Sequence, residues 1–512
     1  MTNNPNLPEY WASHSPDHPA IVDGDQVLTY GEWNDLANRL ADSLDELGLT
    51  SPRVCVRTRI RKEWFVIYLA LGKLGWEQVS LNWRLTTRET REILADSKPG
   101  AFFFDDTDPA PLISACADPS IRLISVTTPV SNAEEYTALV AKPDPTQRLS
   151  NKRKTLITYS SGTTGKPKGV RKEQPTDEAG RKRASEWAGS ADVKGTRGEN
   201  RTLQTLPLHH GAGPRSSRLC HRAGGTLYLL DPFDPVRALE IIDRERITHW
   251  KTVPTMLQRV RALPAETLSS FDVSSIVSVS TGAAPTPLPL RRWVASYFGP
   301  VLSVGYGMSE TGIVANMGPG MQRKKPESCG KVRPHAGVRV IGPDGSEVPR
   351  GTEGELYVRT PMTISGYFNK DPLSAELMTE DGFFRTGDVG RLDEDNYLYI
   401  TGRMKDMIIA GGVNIFPAEI EQAIIEHSAV VDAAVIGIPE ETFGEQVMAF
   451  CEMRADSNVT AGELLGFLAE RLAPFKRPRR IEFVTELPRN SMGKVLKHEL
   501  REPFWKDRGS VI

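Results

Sequence analysis

A strand-like run that leads directly into a loop of glycine, serine, threonine and lysine constrains this chain more than any other feature. The run ends at Tyr159, and the loop extends from Ser160 to Gly169 with the sequence SSGTTGKPKG. Glycines let backbone N–H groups converge on one point, while hydroxyls and lysines add donors and positive charge. We therefore expect a phosphate-binding turn after a β-strand. The turn is not a Walker P-loop, because Ser160 stands at the upstream glycine position and Pro167 follows the Gly-Lys pair.

Bulk properties narrow the class of protein. With 512 residues the chain exceeds one ordinary core, so we expect two or more domains. The 63 basic and 65 acidic side chains nearly cancel, which disfavours nucleic acid as a partner. The five cysteines form no CxxC pair, which disfavours a disulfide framework and a zinc site and favours a reducing, cytoplasmic setting.

The sequence gives no sign of membrane insertion. The N-terminus is polar and contains proline, unlike a signal peptide. The most apolar stretch, residues 64–76, is short and contains Lys73, so it predicts a buried helix. We expect no integral membrane association, and a homodimer is left open.

Strand-like and helical patterns alternate over most of the chain, which predicts an α/β fold with partly parallel sheets. Helical spacing covers residues 30–47 and 64–74, and strand-like runs include 54–56, 202–208, 225–230, 276–280 and 301–306.

The C-terminal part has a different pattern of helices and strands. Helical patterns cover residues 417–425 and 463–472, and a strand-like run covers 430–436. We predict a large N-terminal α/β domain of several subdomains over residues 1–402, a hinge at 403–406, and a small mobile α+β domain over 407–512.

Further motifs bring chemical groups into glycine-containing turns. Small side chains in Ser280–Pro285 would let the backbone approach a flat ring. Gly305–Gly312 supplies an aromatic face and a carboxylate suited to Mg²⁺. These segments are Leu206–Gly213, Ser280–Pro285, Gly305–Gly312, Phe384–Asp388, Gly402–Asp406 and Pro488–Lys494.

In order along almost the whole chain, these segments and the loop after Tyr159 resemble the adenylate-forming superfamily of acyl- and aryl-CoA synthetases, luciferases and peptide-synthetase adenylation domains. The resemblance implies that Tyr306 meets the adenine, that Asp388 accepts the ribose hydroxyls, and that Arg403 contacts ribose or phosphate. The ATP- and AMP-binding positions it implies are Ser160, Ser161, Gly162, Thr163, Thr164, Gly165, Lys168, Gly282, Ala283, Ala284, Tyr306, Gly307, Ser309, Thr311, Asp388 and Arg403.

The resemblance also implies the remaining roles. The implied catalytic residues are Lys494, His210 and Glu310. Glu310 and Thr164 are the implied Mg²⁺ ligands, and Lys405 is the implied hinge residue. The implied acyl pocket contains His209, His210, Gly211, Ala212, Gly282 and Gly307, and the implied coenzyme A tunnel contains Gly411 and Gly412.

The function implied is ATP-dependent conversion of a carboxylic acid to acyl-AMP, with release of pyrophosphate, followed by thioester formation with coenzyme A. Lys494 would offset the repulsion between the carboxylate and the α-phosphate. The adenylation motifs do not separate this reading from an enzyme that passes the acyl group to a carrier protein or another acceptor. A scaffold that only binds nucleotide would not need Lys494.

The segment after the histidine pair is unusually basic for an acyl-pocket wall. Arg215 and Arg218 would share one side of a helix, and Arg215 is a candidate contact for a polar group of the substrate. Residues 207–214 contain no acidic side chain, which argues against an α-amino acid substrate. Medium-chain, aromatic and polycyclic acids all stay open as substrate classes.

Overall fold

The computed structural model describes residues 4–106, 109–116, 118–150, 155–160, 168–172, 175–189, 198–370, 373, 375–454 and 457–506. The chain forms two compact units. The first unit contains Met1–Lys251, Asp272–Val277 and Pro361–Leu373, and the second contains Thr252–Phe271, Ser278–Thr360 and Ser374–Ile512. The domain boundaries expected at residues 402 and 407 stay a prediction.

The first unit alternates strands and helices. Its strands are β1 (Pro19–Asp23), β2 (Gln26–Thr29), β3 (Arg53–Arg57), β4 (Glu77–Ser80), β5 (Ala101–Phe104), β6 (Arg122–Ser125), β7 (Glu134–Glu135), β8 (Thr155–Ser160), β9 (Lys168–Arg171), β10 (Arg201–Gln204), β11 (Thr226–Leu229) and β12 (His249–Thr252). Its helices are α1 (Pro8–His14), α2 (Tyr30–Glu46), α3 (Lys62–Leu74), α4 (Thr87–Ser97), α5 (Ala110–Ala115), α6 (Tyr136–Leu139), α7 (Glu178–Gly189), α8 (Ala212–Arg222) and α9 (Pro235–Arg244).

Two sheets organise the first unit. One has the strand order β7-β6-β5-β3-β4-β8-β9 and is parallel except at β8–β9. The other runs β12-β10-β11-β1-β2 and is parallel except at β1–β2. Parallel strands joined by helices are what the alternating sequence pattern predicts, so the α/β class is confirmed.

Local sequence explains where the helices of the first unit begin. Thr29 and Glu32 form a capping box at the start of α2, and Trp33, Leu40 and Leu44 on its inner face are buried. The stretch containing Lys73 forms α3, a buried helix as expected. No helix in the described part of the chain combines the length and apolar character needed to cross a membrane.

The second unit contains β13 to β25 and α10 to α15. Its strands are β13 (Ser278–Thr281), β14 (Leu302–Met308), β15 (Gly312–Met317), β16 (Gly330–Val332), β17 (Gly337–Ile341), β18 (Gly354–Arg359), β19 (Phe384–Leu392), β20 (Tyr397–Arg403), β21 (Ile408–Ala410), β22 (Val413–Ile415), β23 (Val430–Glu440), β24 (Gly444–Met453) and β25 (Arg480–Val484). Its helices are α10 (Pro254–Arg261), α11 (Ala265–Ser269), α12 (Leu288–Tyr297), α13 (Pro417–Ile425), α14 (Ala461–Ala469) and α15 (Lys497–Trp505), with 3₁₀ turns at Met321–Arg323, Met404–Asp406 and Pro474–Lys476.

The second unit is built mainly from antiparallel strands. The order β13-β14-β15-β16-β20-β19-β18-β17 is antiparallel beyond the β13–β14 pair. A second sheet runs β22-β21-β24-β23, with β25 parallel to β24. Helices α13 and α14 cover this second sheet through an apolar cluster that includes Ile420, Ile424, Leu464 and Leu468.

Two predicted elements have different bounds in the structure, for local reasons. The run at 202–208 is a strand only over Arg201–Gln204, because the Gln204 amide donates to the Leu206 carbonyl and Pro207 has no N–H for a ladder. The helix predicted from residue 463 begins at Ala461, because Thr460 and Glu463 form a capping box. The helix predicted over 417–425 has those bounds.

Candidate active site

Tyr306, Asp388 and Arg403 meet at one point of the second unit. The Tyr306 hydroxyl donates to Oδ2 of Asp388 at 2.7 Å, and Nε of Arg403 lies 2.6 Å from Oδ1. The Asp388 side chain is only 4% exposed. Burial, and then the Asp388 charge, raises the pKa of Tyr306 well above its usual value. Tyr306 is therefore a neutral donor, and Asp388 is a fixed acceptor.

Strand pairing sets this arrangement. Asp388 in β19 is the direct cross-strand partner of Arg403 in β20. The Asp388 N–H also donates to the hydroxyl of Thr386, at 3.0 Å. Neighbouring opposite charges on antiparallel strands hold each other in register.

The small-residue turn after β13 lies close to β14. Gly282 has room for little more than hydrogen, since a Cβ there would come within 3.2 Å of the Gly305 carbonyl oxygen. Ala283 has a φ of 68°, a left-handed conformation that costs a non-glycine residue energy. Strain of this kind is concentrated at binding and catalytic sites, and it falls on one of the residues predicted to border the adenine.

The turn between β14 and β15 carries the predicted phosphate and metal residues. A Cβ on Gly307 would lie 2.2 Å from the Gly312 carbonyl oxygen, so only glycine fits. Ser309 and Glu310 are half-buried in this turn. Thr311 is fully buried and its hydroxyl donates to the carbonyl of Gly312 at 3.2 Å.

Lys494 lies at the end of a tight turn near the C-terminus. The Asn490 side chain accepts from the N–H groups of Met492 and Lys494, at 2.9 and 3.0 Å. Gly493 has a φ of 72°, and a Cβ there would lie 2.1 Å from Oγ1 of Thr255. The turn thus needs both the asparagine and the glycine.

Lys494 is half-buried, and the charges of Asp388 and Arg403 are near enough to act on its ammonium. Burial, then the charges of Arg403 and Lys405, lowers its pKa to about 8. The negative charges of Asp406 and Asp388 partly oppose this shift. With Lys494 as a second cation near Arg403, this site is suited to an anionic ligand such as phosphate.

The predicted hinge and tunnel residues are exposed. Lys405 lies in a 3₁₀ turn, where its carbonyl accepts from Arg501 at 3.3 Å. Gly411 and Gly412, both with positive φ, form the tip of the β21–β22 hairpin. The Gly411 N–H donates to the carbonyl of Phe443, whose side chain is exposed.

In the first unit, the predicted phosphate-binding turn follows β8. The Tyr159 hydroxyl donates to Asp96 at 2.6 Å, which fixes the end of that strand. Lys168, in β9, has its ammonium 5.0 Å from the centroid of the Tyr367 ring. Ser161, Gly162, Thr163, Thr164 and Gly165 lie outside the described residues, as does the side chain of Ser160.

His209 and His210 belong to the first unit and lie just before α8. Their ring centroids are 4.7 Å apart. Burial lowers the pKa of His210 to about 4 and, with His210 and Arg84, lowers that of His209 well below its usual value. Both rings are therefore neutral at pH 7. Gly211 is exposed, and Ala212 begins the helix.

Family profiles match both parts of the chain. The profile described as AMP-binding enzyme matches residues 8–368, and the profile of the AMP-binding enzyme C-terminal domain matches residues 419–494. The chain belongs to the AMP-binding enzyme family. This membership confirms the resemblance to the adenylate-forming superfamily.

Relatives of this AMP-binding enzyme are similar over nearly their full length. Indoleacetate–CoA ligase of Aromatoleum aromaticum is 34% identical, with 96% of each chain covered. A long-chain-fatty-acid–CoA ligase of Mycobacterium tuberculosis is also 34% identical, covering 96% of this chain and 97% of its own. The solved structure of o-succinylbenzoate–CoA synthetase of Bacillus subtilis with an acyl-adenylate has a TM-score of 0.79 and 27% identity, with 98% of both chains covered.

These similarities show that this AMP-binding enzyme is an acid–thiol ligase of the AMP-forming acyl-CoA synthetase type. It uses ATP to convert a carboxylic acid to acyl-AMP and then forms the coenzyme A thioester. The large N-terminal and small C-terminal domains of the expected fold are those of the solved adenylate-forming enzyme.

Sequence reasoning did not identify two features of the site. Arg489, inside the predicted Pro488–Lys494 motif, contacts Asp432 and Glu452, which lie far away in sequence. Lys251, the last residue before the unit boundary, was missed because the short strand β12 carries no recognisable motif. A lone lysine between Trp250 and Thr252 is the signal that could have drawn attention to it.

Proposed function

We propose that this acyl-CoA ligase performs adenylation with Lys494 as the catalytic cation and with Asp388, Tyr306 and Arg403 as the nucleoside site. The observation that carries the proposal is the contact of Arg403 with Asp388, together with a half-buried Lys494 near enough to feel both charges. These groups come from β14, β19, β20 and the C-terminal turn, so their meeting is a property of the folded chain.

Asp388 is suited to accept ribose hydroxyls. An ionised carboxylate has about four lone-pair positions, of which Tyr306 and Arg403 use two. The remaining positions can accept from a diol. Arg403 pairs with the Asp388 carboxylate, and the Tyr306 ring next to it offers a face for the base.

Lys494 is suited to the chemical step. A carboxylate and an α-phosphate repel each other, and a cation between them lowers the free energy of the transition state. At neutral pH the ammonium is largely protonated, because its pKa of about 8 lies above 7. The partly buried setting strengthens its interaction with phosphate oxygens.

Mg²⁺ fits the carboxylate of Glu310. Within the described ranges, no group of three or more His, Cys, Asp or Glu side chains could hold a metal ion. Mg²⁺ commonly takes only one or two protein carboxylates and completes its shell with phosphate oxygens and water. Glu310, half-buried in the β14–β15 turn, would hold the ion, which when bound withdraws charge from the phosphates.

Half-reactions test the role of Lys494. The Lys494→Ala variant should lose at least about 100-fold in acid-dependent pyrophosphate release, as expected for removal of one transition-state charge contact. It should form acyl-CoA from supplied acyl-adenylate at close to the wild-type rate. Lys476→Ala removes an ammonium of the same unit that pairs with Glu419, and it should change neither rate.

Equal loss of both half-reactions in Lys494→Ala would contradict the assigned role. Acyl-adenylate made by the wild type but transferred faster to a carrier-protein thiol than to coenzyme A would favour the other acceptor. Mass spectrometry of pyrophosphate, AMP and acyl products, with and without coenzyme A, separates these outcomes.

A further inference from the structure

Arg215 and Lys251 place two cations on one side of a sheet in the first unit. Lys251 in β12 is the register partner of Gln204 in β10. Register partners on adjacent parallel strands point to the same face. The Gln204 side chain accepts from Ser217 of α8 at 3.2 Å, so this face is the one that α8 covers. Arg215 is in the first turn of α8, on the side of that helix that also carries Arg218 and Arg222.

The two cations are close enough to oppose each other. Burial, and then the charge of Arg215, lowers the pKa of Lys251 to about 8. Burial, followed by the charges of Arg218 and Arg222, lowers the pKa of Arg215 to about 10. In the described part of the chain, none of the charges that shift either pKa is negative.

Lys73, a buried lysine of the same unit, shows how this fold satisfies a structural ammonium. Lys73 is 3% exposed, and its Nζ donates to Asn34 and to the Arg148 carbonyl, both at 2.7 Å, with Glu9 at 3.7 Å. Lys251 has no comparable set of acceptors in the described residues. Burying like charges without a counter-charge opposes folding, so stability does not explain the pair.

Arg215 also follows closely on the two histidines of the first unit. The strand β10 ends at Gln204 and the chain continues through His209 and His210 into α8. A Cβ on Gly213 would lie 2.4 Å from the Pro207 carbonyl oxygen, so the turn that joins the histidines to Arg215 is tightly packed. Arg215 therefore lies in the first turn of α8, shortly after the two histidines.

We propose that Arg215 and Lys251 form an anion-binding subsite for a second carboxylate at the far end of the acid substrate. The preferred substrates are then acids that carry two carboxylates, one activated by ATP and the other held by these cations. This inference rests on the proposed function, because it takes His209 and His210 as the wall of the acyl pocket. A guanidinium can hold the distal carboxylate through two parallel hydrogen bonds, and the ammonium adds a point charge.

Binding and turnover of matched acids test the subsite. Adipate and hexanoate have equal chain length and differ by one terminal carboxylate. We expect wild-type kcat/KM for adipate to exceed that for hexanoate by at least about tenfold, the ratio that about 1.4 kcal/mol gives. Arg215→Met and Lys251→Met should each lower the adipate value about tenfold or more and leave the hexanoate value unchanged or raised. Arg215→Lys should retain part of the preference.

Controls separate this subsite from other anion contacts. Arg88→Met removes an arginine of the same unit whose side chain is 86% exposed, and it should leave the preference unchanged. The KM for coenzyme A should also be unchanged in Arg215→Met. A rise in that KM with both acids would overturn the proposal, because the cations would then serve the phosphates of coenzyme A.

A binding measurement keeps the test independent of catalysis. Calorimetric titration of each acid in the presence of Mg²⁺ and α,β-methylene-ATP, which cannot be cleaved to acyl-AMP, measures selectivity without turnover. Tighter wild-type binding of adipate that Arg215→Met abolishes supports the subsite, even if Lys494→Ala disproves the proposed catalytic role. Equal binding of adipate and hexanoate, or tighter binding of hexanoate, overturns it.

Discussion

The guanidinium of Arg489 lies 2.7 Å from Oδ2 of Asp432, and this contact joins the turn that carries Lys494 to strand β23. Arg489 also contacts Glu452 of β24 at 3.0 Å and donates to the Gly493 carbonyl at 3.2 Å. One side chain thus ties the lysine turn to the longest strand pair of the second unit. We propose that Arg489 is a positioning residue that acts through Lys494.

Replacing Arg489 by Met should misplace Lys494. We expect acid-dependent pyrophosphate release to fall about 10- to 100-fold, because a displacement of about 1 Å can cost 100-fold in rate. Two carboxylates would also stay unpaired at sites only 11% and 18% exposed. The free energy of unfolding should therefore fall by about 3 kcal/mol, measured by urea denaturation.

The thioester half-reaction distinguishes positioning from general damage. In Arg489→Met, acyl-CoA formation from supplied acyl-adenylate should be retained at a temperature where the variant is folded. Arg480→Met is the control, since its side chain is 58% exposed in the same unit. If both half-reactions fall in proportion, Arg489 has only a structural role.

Gly493 should tolerate no side chain. An alanine there would adopt a φ of 72° and bring its Cβ within 2.1 Å of the Thr255 hydroxyl oxygen. We expect Gly493→Ala to lower the free energy of unfolding by about 1–3 kcal/mol and to slow adenylation. Gly466→Ala is the matched control, because Gly466 lies within α14 with nothing near its Cβ position. That variant should be stabilised by about 0.5–1 kcal/mol, measured by thermal unfolding.

Asp388→Asn should weaken ATP binding. The amide keeps the shape and its oxygen can still accept from Tyr306, but it loses the charge that pairs with Arg403. A hydrogen bond to a charged group contributes about 1.5–3 kcal/mol, so the KM for ATP should rise about 10-fold or more. Asp395→Asn alters a carboxylate that is 67% exposed and should leave this KM unchanged. An unchanged KM in Asp388→Asn would remove Asp388 from the nucleoside site.

Sequence predicted the elements better than their ends. The spacing of Trp33, Leu40 and Leu44 is a local signal, and the helix predicted over residues 30–47 forms over Tyr30–Glu46. Strand order is not encoded in local sequence, because it depends on which distant strands pair after the intervening chain has folded. Nothing in the sequence indicates that β1 pairs with β11, about 200 residues later.

For the site as well, short local motifs could be predicted from the sequence, and long-range partners could not. The motifs containing Tyr306, Asp388, Arg403 and Lys494 could be recognised because each is a short contiguous pattern. The partners that orient them could not, since Asp432 and Glu452 reach Arg489 only after β23 and β24 pair. For Arg215, sequence suggested a basic residue near the pocket, but the neighbouring Lys251 became evident only through the register of β10 and β12.

Adenylation should lose activity as the pH rises through about 8. The ordinary lysine pKa of 10.5 is lowered to about 8 at Lys494, first by burial and then by Arg403 and Lys405. Only the protonated ammonium offsets the repulsion between carboxylate and phosphate, and the free enzyme loses that proton above this pH. The value of kcat/KM for ATP reports groups of the free enzyme, so it should fall about tenfold per pH unit well above 8. Lys494→Arg should be slower but should keep its residual activity to higher pH, since a guanidinium stays charged.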